Sequence, residues 1–242
     1  MITVATWNVL HRIHADNWGE EAPRRWPNEA ARISAVTEWV ASRPEQVIAL
    51  QEVSGDLLNS LRIALPDRTV PYFRYPRMPT PRRTAAELTE PAEYLVLILD
   101  KPARPLVAEA FPDDPGKGVL AVQTDELVAV ATHLSGRGRT NGQLDRLAAL
   151  TREHTDRPVV LLGDFNTGRD AVAQHLPDFT VAVPPEDAPP TRPRERAGRS
   201  RTIDHIVVRG ARITEVGVEI TGDRSDHNFV HAALALDPPP RI

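Results

Sequence analysis

Residues 158–166 read Pro-Val-Val-Leu-Leu-Gly-Asp-Phe-Asn, and no other stretch constrains the fold as strongly. Val159, Val160, Leu161 and Leu162 form a short apolar run with β-branched residues, which fits a strand covered on both faces. The run ends at Gly163, and Asp164 and Asn166 follow two apart. Period-two alternation sends those two polar side chains to one side and Phe165 to the other. Gly, Asp and Asn are also common turn residues, so a strand followed by an Asx-rich turn accounts for the stretch as well as a functional site does. The rest of the chain has to decide.

Residues 2–9 alternate and read as a strand ending at Asn8, and residues 11–27 are polar and read as an ordered loop. Asn28 is placed to cap a helix over 29–42, which Pro44 stops. A second buried strand covers 47–50 with Gln51-Glu52 at its end, and Ser54 begins a short helix through Leu65. Residues 69–75 read as a strand, 76–91 as an irregular excursion, 94–99 as a buried strand and 102–115 as a connection. A hairpin is predicted from 118–123 and 127–133, then helices over 141–155 and 170–176 on either side of the opening strand. Residues 183–201, rich in Pro and Arg, read as a loop, and strands at 203–208, 213–220 and 229–236 close the chain. Strands outnumber helices and no βα alternation is sustained. The expectation is one α/β domain over residues 1–242, with two packed mixed sheets flanked by helices.

Composition removes several function classes. With 29 Lys and Arg against 33 Asp and Glu there is no basic excess of the kind a non-specific DNA binder carries. The absence of Cys excludes disulfides and thiolate metal sites. No run approaches a membrane span, so no membrane partner is expected. The chain enters an alternating strand at once, without a charged and then apolar leader, and the expectation is a cytoplasmic monomer.

The polar residues at strand ends and the adjoining turns are Asn8, Glu52, His133, Asp164 with Asn166, Asp204 with His205, and Asp226 with His227. Such a set suits metal-assisted hydrolysis. Glu, Asp and Asn oxygens fit a hard cation such as Mg2+ or Mn2+. A His held by a carboxylate can take a proton from water, and a second His can stabilise charge on a transferring phosphoryl group. No Gly-x-Ser-x-Gly elbow, His-Glu-x-x-His zinc motif or phosphate-cradling P-loop is present.

Thr6-Trp7-Asn8-Val9, Leu50-Gln51-Glu52-Val53, Thr132-His133-Leu134, Gly163-Asp164-Phe165-Asn166, Ile203-Asp204-His205-Ile206 and Ser225-Asp226-His227 occur in that order. Together they resemble the successive motifs of the endonuclease/exonuclease/phosphatase superfamily, with its deoxyribonuclease-I-like fold. The resemblance implies a four-layer α/β/β/α sandwich and divalent-metal-dependent phosphoester hydrolysis. Carried over, Glu52 is the principal metal ligand with Asn8 beside it, and Asp226 lies near the metal or a second metal position. His227 is the general base, oriented by Asp204. Asp164 aligns the nucleophile or assists the leaving group, and Asn166 and His133 hold phosphate oxygens. Glu93 is the candidate carboxylate partner of His133, and Lys117 sits where relatives often carry a basic residue. Arg199, within the 192–201 arginine cluster, is placed to reach a phosphate at the rim. His205 is read as packing or substrate contact, and His11, His14, His154, His175, His231, Trp18 and Trp26 as structural. Near-neutral charge and compact length, set against the range of substrates that the resemblance implies, favour a nucleotide-type or other small phosphodiester, or a nucleic-acid end. The alternatives are a phosphomonoesterase, a DNA or RNA endonuclease or exonuclease, and a non-catalytic scaffold. Substrate identity lies in loops 11–27, 76–92 and 184–201, which carry no readable signal.

Overall fold

Most buried strands of this chain are apolar at both odd and even positions, and the two sets enter different cores. The structure is a computed structural model that describes residues 1–82, 88–136, 138–153, 157–193 and 200–236. In chain order the elements are β1 (Ile2–Asn8), α1 (Arg12–Trp18), α2 (Ala22–Arg25), α3 (Glu29–Ala41), β2 (Val47–Ser54), α4 (Gly55–Ala64), β3 (Tyr72–Arg74), β4 (Glu93–Leu99) and β5 (Arg104–Phe111). They continue with β6 (Asp114–Gln123), β7 (Val128–His133), α5 (Thr140–Arg152), β8 (Val159–Asp164), α6 (Arg169–His175), β9 (Thr180–Val181), β10 (Asp204–Arg209), β11 (Ala211–Glu219) and β12 (Phe229–Leu236).

The strands form two six-stranded mixed sheets, in the orders β11-β12-β1-β2-β4-β3 and β5-β6-β7-β8-β10-β9. Alternation then builds the layers. Val4, Ala49, Leu97, Ala131, Leu162, Ile206 and Ala232 meet between the sheets. Their strand neighbours Ala5, Trp7, Ile48, Leu50 and Ile98 turn outward onto Ile33, Val36 and Val40 of α3 and Leu57 and Leu61 of α4. On the other side Val130, Leu161 and Val207 meet Leu144 and Leu147 of α5 and Val172 of α6. Helices, sheet, sheet and helices therefore stack as the expected four-layer α/β/β/α sandwich.

The sheet topology decides where the site forms. β1 and β2 are parallel, as are β7 and β8, while β4, β6, β10 and β12 run antiparallel to their partners. The carboxyl ends of the first four strands therefore share one end of the sandwich with the amino ends of the others.

Three expectations are corrected. Residues 11–27 hold α1 and α2, not a loop. α1 is only seven residues long and buries just Ile13 and Ala15, too little for a helical stripe. It is set by local capping: the His11 side chain accepts a hydrogen bond from Ile13 N, and Gly19 ends the helix at φ 68°. The segment 102–115 is not a plain connection, because β5 runs through it as an edge strand and β6 begins at Asp114. Half-exposure blurs the pattern of β5. Finally, β8 stops at Asp164, and Asn166 takes a left-handed φ of 50°. Both readings of the opening stretch thus hold, since a strand delivers the acid and a turn delivers the amide. Among the described residues, no helix is long and apolar enough to cross a membrane.

Candidate active site

Glu52 reaches the site by a break in its strand. The β2–β4 register shifts between Leu50 and Val53, and Glu52 itself has φ 60°. This bulge takes the side chain out of alternation and aims it past the sheet end. Asn8 Nδ2 donates to Glu52 Oε1 at 3.1 Å and to Asp164 Oδ2 at 3.2 Å, and so ties an acid of each sheet to the other. Its Oδ1 accepts from Leu10 N at 3.0 Å. The amide thus meets the two acids as a donor bridging them, and stands beside Glu52 as expected. His11 N donates to Glu52 Oε2 at 3.1 Å.

Across the site, His227 Nδ1 donates to Asp204 at 2.9 and 3.0 Å, while Nε2 lies 3.9 Å from both Asp164 and Asp226. The backbone around this ring is locked. Trp7 Nε1 and Thr221 Oγ1 both donate to the His227 carbonyl, and Ser225 Oγ donates to Asn8 O while accepting from His227 N. Thr191 Oγ1 accepts from Ile203 N and Asp204 N, which fixes the Asp204 turn. Burial alone would lower the His227 pKa, but Asp204 foremost, then Asp226 and Asp164, push it up to about 10.

Asp226 is held at Oδ2 by the Arg192 guanidinium at 2.8 Å, while its Oδ1 is buried without a hydrogen-bond partner. His133 Nε2 lies 3.4 Å from Asp164 Oδ2 and 4.0 Å from Glu52 Oε1. Lys117 Nζ, from β6, approaches the same nitrogen at 2.6 Å. Burial opposes ionisation of Glu52 and Asp164, yet both stay below the ordinary carboxylate range. For Glu52 the opposing groups are His14, Lys117 and His133, and for Asp164 they are His133, His227 and Lys117.

The expected partnership of Glu93 with His133 is overturned. Glu93 opens β4 and accepts from His14 Nε2 at 2.8 Å, so it orients a ring of α1 that also lines the cleft. His11 and His14 follow the end of β1 three residues apart, the only sequence signal that could have pointed to them. Asn166 donates its Nδ2 to Leu134 O at 2.8 Å and faces the same cleft. His205 bonds Thr167 O and stands edge-on to Phe165 at 5.5 Å, contacts that fit its reading as a packing residue. Arg199 and His154 lie outside the described residues. Among the described residues, the arginines of the 192–201 cluster that line the cleft are Arg192 and Arg201.

These groups border a cleft of about 410 Å³ onto which Glu52, Asp164, Asp226, His133, His227 and Asn166 open, with Lys117, His14, Trp18 and Arg77 on its walls. Asn8 and Asp204 are buried behind it. A slightly larger hollow, about 470 Å³, lies beside α6, and none of these acids opens into it. Ligand atoms of Asp164, Asp204 and His227 fall within 4.8 Å of one another. Asp204 and His227 Nδ1 are spent on each other there, which leaves the acids at the cleft as the open oxygen donors.

The sequence matches the Endonuclease/Exonuclease/phosphatase family over residues 5–227. No curated protein matches it. Solved structures similar to it include a family protein from Bacteroides thetaiotaomicron, with 16% identity, TM-score 0.71 and 98% of each chain covered. A humanized TDP2 from D. rerio has 14% identity and TM-score 0.68, covering 97% of this chain and 98% of that one. The 3′ phosphatase NExo from Neisseria, bound to a product DNA hairpin, has 18% identity and TM-score 0.67, covering 97% and 100%. Family members are hydrolases of phosphoester bonds. With the match running through every strand that contributes to the cleft, this chain belongs to the endonuclease/exonuclease/phosphatase family.

Proposed function

We propose that the protein is a divalent-metal-dependent phosphodiesterase that cleaves its substrate by in-line attack of water. The observation that carries this reading is the convergence on one cleft of Glu52 and Asp164, bridged by Asn8, opposite a His227 ring held by Asp204. The donor set fits Mg2+ or Mn2+, because it offers carboxylate oxygens and no sulfur. Asp226 Oδ1, buried and without a partner, is a further oxygen that a cation would satisfy. Glu52 would hold the ion, with Asp226 or Asp164 next to it. When bound, the cation supplies neutralisation of charge on the phosphoryl oxygens.

The remaining roles fall to the chain itself. His227 Nε2 faces the cleft and in its deprotonated form would take the proton of the attacking water. Two of the carboxylates that raise the ring, Asp226 and Asp164, would be offset by a cation held beside them, while Asp204 on Nδ1 fixes the tautomer and balances the ring once charged. Asp164 aligns the water or assists the leaving oxygen. His133, Lys117 and Asn166 hold the non-bridging oxygens. The similarity to a TDP2 and to a 3′ phosphatase bound to DNA supports a phosphoester substrate.

Lys117 and His14 add positive charge beyond what a monoanionic diester needs, which favours phosphomonoester hydrolysis as a second reading. Bis-p-nitrophenyl phosphate against p-nitrophenyl phosphate, each with and without Mn2+, separates the two. Glu52→Ala abolishes the metal-dependent rate while the circular dichroism spectrum is retained; turnover equal to wild type refutes the metal assignment.

A further inference from the structure

His14 and Trp18, four residues apart on α1 and so on one face of the helix, both line the cleft, as does Leu10 ahead of the helix. The helix that carries His14 and Trp18 is tied down on every other side. Ile13 and Ala15 are buried, and Arg12 bonds Asp16, Glu29 and the Trp26 carbonyl. His14 is fixed by Glu93, and Asn17 brackets the neighbouring loop by donating to Thr80 O at 3.0 Å and accepting from Arg82 N at 2.8 Å. Trp18, by contrast, is 71% exposed. Its indole borders both the catalytic cleft and an adjoining hollow of about 350 Å³. A large flat apolar side chain left uncovered on so firmly held a helix is a surface prepared for a ring brought by something else.

We infer that Trp18 is the stacking platform for the nucleobase of a substrate whose phosphate lies at Glu52 and Asp164, and that His14 holds an oxygen of that phosphate. Every base offers a π-face, so stacking on a fixed indole recognises nucleotides without reading their sequence. The helix pays little ordering entropy on binding, because its anchors hold the ring in place beforehand. The inference rests on the phosphodiesterase reading and narrows its substrate to nucleotide-type diesters.

Thymidine 5′-(p-nitrophenyl phosphate) and ethyl p-nitrophenyl phosphate share a leaving group and a charge, and only the first carries a base. Wild type with Mn2+ prefers the thymidine ester in kcat/KM. Trp18→Ala reduces that preference about tenfold, chiefly through KM, in line with base–aromatic stacking, and Trp18→Phe retains most of it. Equal kcat/KM for the two esters in wild type, or an unchanged preference in Trp18→Ala, overturns the inference and leaves the phosphodiesterase reading standing. A metal-free titration followed by tryptophan fluorescence keeps the two separable. Thymidine 5′-monophosphate quenches wild type, ribose 5-phosphate does not, and Trp18→Phe loses the response. Quenching by both phosphates, or quenching that persists in Trp18→Phe, overturns the stacking role. Absence of hydrolysis of either ester in wild type refutes the phosphodiesterase reading instead.

Discussion

The His14–Glu93 pair allows a prediction about stability that is independent of catalysis. Glu93 is only 2% exposed, and burial opposes its charge. The His14 charge and hydrogen bond, with help from Lys117, outweigh burial and hold its pKa down from 4.5 to about 2. That gap corresponds to about 3 kcal/mol of stability. Because the folded value is depressed, the contribution is present above 4.5 and is lost as pH falls through about 2. His14 has the opposite sign. Burial lowers its pKa, but Glu93 raises it above 6.5, so its share is present below 6.5 and is lost as pH rises past the folded value. The pair therefore stabilises the fold most between 4.5 and 6.5. Glu93→Gln keeps the shape and an acceptor for His14 but cannot titrate, so subtracting its stability from that of wild type isolates the carboxylate. Urea unfolding should show wild type ahead by about 3 kcal/mol near pH 5.5, with about 1 kcal/mol of that advantage gone by about pH 3.5. A stability difference that does not change between those pH values would refute the assignment of a charged Glu93 to His14.

Two further perturbations probe the site and its scaffold. Asp204→Asn removes the carboxylate that raises the His227 ring, so the rising limb of the pH–rate profile should move to lower pH and its plateau should fall; an unmoved limb in steady-state assays speaks against His227 as base. Gly163→Ala would set a methyl against the Thr132 carbonyl of the neighbouring strand, at the residue just before Asp164. It should cost about 1–3 kcal/mol by denaturant titration and lower kcat as well, whereas wild-type stability would show that the β7–β8 contact yields more readily than its geometry indicates.

Much of this molecule is legible from local pattern. The buried strands announce themselves because alternation is a property of the chain, and the helix beginning at Glu29 because Asn28 accepts from Ala31 N within one turn. His133, Asp164 and Asp204 are legible for the same reason, since each stands at a strand end that sequence periodicity marks, whereas Glu52 sits at a bulge within β2 and Asp226 and His227 in the turn before β12. α1 is not, because capping and contacts with the rest of the protein stabilise it more than an apolar stripe does.

The opening stretch shows where sequence stops. Residues 158–166 by themselves determine a buried strand with an acid at its end, because β-branched apolar residues and a terminal Gly-Asp leave few alternatives. Which groups that acid meets is settled only in three dimensions. Asp164 faces Asn8, 156 residues away, His133 at the end of β7 and His227 in the turn before β12, because two sheets with parallel and antiparallel neighbours bring those ends together. The same holds for Glu93, which takes His14, 79 residues away, as its partner and not the expected His133. Alternation along a strand decides which side a residue faces, but the stacking of two sheets decides what it faces.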